Sequence, residues 1–162
     1  MSALPNRGRE RDMVTPPSLD GLVRDPDEPR DVRLVVVVNT SEDPTTYHWM
    51  LIWDVIENQW GQQIRRINVV QERGYNHLTY FGPATVARGE TTRKSPFYFL
   101  GTLTLSQRKE LETIADGVDV LEPDGKWNCQ DWTTDVLTRA VEAGLMDREI
   151  VQKALAAARD SK

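Results

Sequence analysis

The sequence predicts an α+β domain, with a mostly antiparallel sheet formed first and C-terminal helices packed on it. Three observations carry this. Runs rich in β-branched and aromatic residues fall between residues 33 and 105, and capped helical stretches ending in glycine fill the chain beyond. A length of 162 residues with 39% hydrophobic and 28% charged content suits one globular unit that buries its own core.

The first strand is Arg33 to Asn39 (RLVVVVN), a continuous apolar run of the kind buried on both faces. Thr40 to Thr46 holds Ser41, Asp43 and Pro44 and reads as a turn. Tyr47 to Ile56 (YHWMLIWDVI) is the second strand, and Glu57 to Gly61 the hairpin loop. Gln62 to Gln71 is the third strand. Its alternation sets Arg65, Ile67 and Val69 on one face and Ile64, Arg66, Asn68 and Val70 on the other. Between Gly74 and Arg93 the pattern is ambiguous, with a short strand expected within Tyr75 to Phe81. Pro96 to Leu105 closes the sheet.

Ser106 is expected to cap a helix from Gln107 to about Asp116, stopped by Gly117. After a polar connection, Asn128 or Asp131 caps the next helix, which ends near Ala143 and Gly144. Asp147 caps the last one. Residues 1–31 carry five prolines and scattered charges, so they are expected to form a disordered or loosely docked tail, docking at most through Met13-Val14 and Leu19 to Val23. The single domain is then 32–162.

The net charge of -5 lacks the basic excess that phosphate neutralisation requires, so a nucleic-acid partner is not expected. A small-molecule, lipid or peptide substrate fits better. With one cysteine there is no internal disulfide, and a zinc site would need His48 and His77 to join Cys129 without any recognisable ligand spacing. No metal or other cofactor is expected. No window reaches the length of a membrane span and the N-terminus lacks an apolar leader, so the expected location is cytoplasmic.

The chemistry concentrates in Trp127-Asn128-Cys129-Gln130-Asp131-Trp132. Cys129 opens a helix, where free N–H groups and the helix dipole favour a thiolate. A lone cysteine also serves as a small apolar residue under a helix. His48 opens a strand and is the candidate base, or else an edge histidine with a structural hydrogen bond.

Taken together, Tyr47-His48-Trp49-x-Leu51 followed by Asn128-Cys129-x-x-Trp132 resembles the circularly permuted papain-like thiol enzymes, which include permuted NlpC-type and lecithin:retinol acyltransferase-like proteins. The resemblance spans about Arg33 to Leu145 and rests on these two motifs. It implies a permuted papain-like fold, a cysteine nucleophile, a histidine base and a third polar residue that orients the imidazole. It also implies hydrolysis or transfer of acyl groups at amides and esters. The acyltransferase-like members carry a second histidine on the following strand, and this chain has none there. Asn68 is the choice for that role, with Gln63, Gln71 and His77 as alternatives. The Cys129 N–H with a neighbouring N–H would hold the oxyanion. Trp49, Trp127, Asn128, Gln130 and Trp132 are candidate substrate contacts, the aromatics being as readily core. The alternative function is a catalytically silent scaffold of the same fold used for binding. A third possibility is a partner-binding role for the N-terminal tail.

Overall fold

The computed structural model describes residues 2–161. Among them the strands are β1 (Arg30–Val37), β2 (His48–Asn58), β3 (Gly61–Ile67), β4 (Val70–Gln71), β5 (Leu78–Thr79), β6 (Ala84–Ala87) and β7 (Phe97–Leu103). The helices are α1 (Glu90–Lys94), between β6 and β7, then α2 (Leu105–Asp116), α3 (Cys129–Glu142) and α4 (Arg148–Arg159). Five strands form one antiparallel sheet in the order β6-β3-β2-β1-β7, and β4 and β5 pair separately. The architecture is α+β, strands first, with the C-terminal helices on the sheet.

The period of two along each strand divides the core. Leu34 and Val36 of β1, Trp49, Leu51 and Trp53 of β2 and Ile67 of β3 join Trp132, Val136, Leu111 and Leu155 of the helices in one large cluster. The opposite face carries a smaller cluster of Val35, Met50, Ile52 and Ile64. Arg65 reaches Glu112 of α2, as expected for a residue sharing a face with Ile67. Each buried large apolar side chain contributes roughly 1.5–3 kcal/mol. β2, which carries Trp49 and Trp53, sits at the centre of the sheet, with buried residues on both faces.

Several expectations are corrected. The third strand ends at Ile67, and Val70–Gln71 turns away to pair with Leu78–Thr79. Ala84–Ala87 supplies an edge strand that its small residues did not signal. Thr104, not Ser106, caps α2: its hydroxyl accepts from Gln107 N while the Gln107 side chain returns to Thr104 N.

The N-terminal segment lies across the domain rather than loose beside it, and polar groups hold it. Leu4 N donates to Val120 O at 2.7 Å, Tyr80 N to Arg7 O at 3.0 Å and Leu19 N to Thr85 O at 2.7 Å. Asp25 meets the fully buried Arg108 of α2, whose guanidinium also donates to Pro26, Glu28 and Leu103 carbonyls. Val14 and Leu22 remain 83% and 84% exposed, whereas Leu4 and Val23 pack against the core, so the segment docks within Leu19 to Val23 but not through Val14.

Candidate functional site

The site forms where the start of α3 meets the start of β2. Asn128 is the N-cap of α3: its side chain accepts from Gln130 N at 2.8 Å, and Asp131 closes the capping box by accepting from Asn128 N at 2.8 Å. Two amides then fasten this helix end to the turn before β2. Asn128 Nδ2 donates to Thr45 O at 3.0 Å, and Gln130 Nε2 donates to Pro44 O at 2.8 Å and Tyr47 O at 3.0 Å. These contacts fix the register between helix and strand.

That register sets Cys129 against the backbone on either side of His48. Cys129 Sγ lies 3.7 Å from Tyr47 O, and the Trp49 N–H is directed at the sulfur. Tyr47 O and Trp49 N flank His48 on the backbone. The imidazole Nε2 lies 3.1 Å from Asn68 Nδ2. Extending the β2–β3 register from Leu51 opposite Ile67 sets Asn68 across from Met50, one diagonal step from His48. Among the described residues no hydrogen bond joins the thiol to the ring.

Burial pushes the Cys129 thiol above its ordinary value, and the nearby Asp131 adds to this; the Trp49, Cys129 and Gln130 N–H groups pull the other way. Burial likewise lowers the His48 imidazole, with help from the Arg66 charge. The resting pair is therefore a neutral thiol and a neutral imidazole.

The other candidates separate cleanly. Gln63 pairs with Ile56 at the far end of β2 and donates to Gly61 O, which removes it from His48. Gln71 Nε2 donates to Tyr75 O at 2.9 Å. The His77 ring contacts Leu78 O and Glu10. Trp49 and Trp132, expected as substrate contacts, are 1% and 0% exposed and belong to the core instead. Gln130 is occupied by its clamp on the turn. The Gln130 N–H donates to Asn128, while among the described residues the Cys129 N–H donates to no oxygen. Trp127 and Asn128 line a cavity of about 120 Å³ with Leu78, Leu121 and His77, and Asn128 also borders an open polar cleft with Thr45 and Lys126.

Arg66, not expected at the site from its sequence position, also acts on His48 through its charge. Its half-buried guanidinium has no ion pair among the described residues and faces the side of the sheet that carries Asn68 and His48. The β3 alternation already placed it there.

Among the described residues no group of three or more His, Cys, Asp or Glu is arranged to hold a metal ion, and no helix is long and apolar enough to cross a membrane. Comparison with protein-family models, curated proteins and solved structures finds no match.

Proposed function

We propose that the chain is a thiol-dependent acyl-transfer enzyme of permuted papain-like design, with Cys129 as nucleophile, His48 as base and Asn68 as the residue that orients the base. The observation that carries this is the 3.1 Å contact between His48 Nε2 and the Asn68 carboxamide, made while the backbone on both sides of His48 touches Cys129. Engaging Nε2 leaves Nδ1 for the thiol. The two orientations of the carboxamide select opposite tautomers. Catalysis needs Oδ1 accepting from Nε2–H, so that the Nδ1 lone pair is free.

Because the resting pair is neutral, the proton moves during attack rather than before it. The Cys129 proton passes to His48 Nδ1 as sulfur bonds to the carbonyl carbon. The oxyanion is held by the Cys129 N–H. The imidazolium returns the proton to the departing amine or alkoxide, and the C–N or C–O bond breaks. Water or an acceptor amine, deprotonated by His48, then resolves the thioester. Substrates of this chemistry are amides or esters of small molecules, lipids or peptides, and a cytoplasmic setting would keep the thiol reduced.

A second reading, a silent scaffold used for binding, is favoured by the raised thiol pKa and by the absence of a thiol–imidazole hydrogen bond among the described residues. An electrophilic acyl probe separates the two. Labelling of wild type, lost in Cys129→Ala and reduced roughly 10²–10⁴-fold in His48→Ala, supports the enzyme. Equal labelling of wild type and His48→Ala supports the scaffold.

A further inference from the structure

On the face of the sheet opposite the helices, Arg66 and Asn68 line a cavity of about 160 Å³ closed by the N-terminal segment and the Phe81–Ala84 turn. Its neighbour Arg65 is spent on Asp20, at 3.3 Å, and on Glu112. Asp20 also borders the cavity, but it accepts from Thr85 N at 2.8 Å and pairs with Arg65, so it does not answer the charge of Arg66. Among the described residues Arg66 makes no ion pair and no side-chain hydrogen bond, although burial disfavours its charged form. A half-buried cation lining a cavity without a counter-charge is a ready partner for an anion. The remaining walls divide by chemistry. Thr15, Ser18 and Asn68 offer polar groups beside Arg66, while Pro16, Val70, Phe81 and Pro83 are apolar.

We propose that this cavity is a binding site for a short-chain carboxylate, with Arg66 and Asn68 holding the carboxylate and the Phe81–Pro83 wall covering its chain. The apolar wall favours a carboxylate over inorganic phosphate, which has no tail to bury. The site reports on itself, because Asn68 touches His48. Arg66 on β3 is the charged group that acts on the imidazole; Asp20 borders the cavity, and Cys129 on α3 lies against the backbone on either side of His48. Cys129 stays protonated below pH 8 and Asp20 stays ionised above pH 5, since one is pushed up and the other down. A bound carboxylate therefore acts by neutralising Arg66, and the His48 pKa rises.

The inference goes beyond the acyl-transfer reading and does not need a reactive thiol, so the test is run in Cys129→Ala as well as in wild type. The His48 imidazole is titrated by NMR with butyrate, inorganic phosphate or chloride at equal ionic strength. A saturable upward shift with butyrate, on the order of half a unit to one unit, is expected. It should be weaker with phosphate, absent in Arg66→Gln and retained in part in Arg66→Lys. Arg66→Gln without ligand should itself raise the His48 pKa. If butyrate gives no saturable shift, or phosphate matches it, or Arg66→Gln still responds, the proposal is overturned. The wild-type comparison of butyrate with phosphate decides this even if a variant fails to fold.

Discussion

Replacing Asp25 with alanine should destabilise the protein far more than a change in an N-terminal segment ordinarily does. The Asp25 carboxylate accepts from Arg108 Nη2 at 2.9 Å, Arg108 Nε at 3.1 Å and Trp53 Nε1 at 3.0 Å. The Arg108 side chain is 0% exposed, so alanine leaves a buried guanidinium without a counter-charge. Breaking such a pair from one side costs about 3–5 kcal/mol. Three carbonyls at 2.8 Å still receive Arg108, and the Asp25 carboxylate is 13% exposed, so water can reach part of the gap. Both facts place the loss near the lower end, about 3 kcal/mol. For a domain of this size that corresponds to a fall in Tm on the order of 10 °C. Urea unfolding followed by far-UV circular dichroism and tryptophan fluorescence measures it, with an unchanged m-value expected. Asp25→Leu combined with Arg108→Met should recover most of the loss, because no charge is then left unpaired. A loss under about 1 kcal/mol for Asp25→Ala, or a double variant as unstable as the single, would refute the argument.

Other outcomes follow from the same geometry. Asn68→Ala should lower the acyl-probe labelling rate about 10- to 100-fold while leaving the urea midpoint within experimental error, read by single-turnover labelling. His48 has a lower pKa folded than unfolded, so the unfolded chain binds the extra proton; stability should fall as pH drops below 6.5, and His48→Gln should flatten that slope in urea melts at pH 5 to 7. Cys129 is the reverse: its folded pKa lies above 9.0, the unfolded chain releases the proton first, and stability should decline as pH rises past 9, a decline that Cys129→Ser removes. Gly8 holds φ of +80°, and a Cβ there would fall 2.3 Å from Leu78 O, so Gly8→Ala should unseat the N-terminal segment and speed tryptic cleavage at Arg7, Arg9 and Arg11.

Much of the sheet was legible because β-branched and aromatic runs are long and their alternation is strict. Asn68 could be placed near His48 from hairpin arithmetic alone, since a turn at Asn58 to Gly61 determines which residues face each other. The short strand Ala84–Ala87 was not legible: its pairing with β3 is set by the neighbouring edge and not by its own side chains. The docking of the N-terminal segment was hidden for a related reason. Its partners, Arg108, Val120 and Thr85, are distant in sequence, and a hydrogen bond between such positions leaves no periodic trace. Trp49 and Trp132 looked equally suited to a pocket wall or a core because residue type alone does not say which side of the sheet a helix covers. The Gln130 clamp was missed because a glutamine reaching two carbonyls depends on the path of the preceding turn.

The contacts that hold the fold and the site together span the chain unequally. His48 meets Asn68 across 20 residues, whereas Cys129 meets Tyr47 across 82 and Asp25 meets Arg108 across 83. Local pairing closes quickly and distant pairing slowly. On the ribosome, the hairpin carrying His48 and Asn68 can therefore form well before Cys129 is synthesised. Until α3 emerges, the tryptophan-rich face of β2 has no helix to cover it and is open to chaperones or to misassociation. An incomplete chain thus holds His48 and Asn68 already paired, and Cys129 meets the backbone beside them only as α3 packs on the sheet.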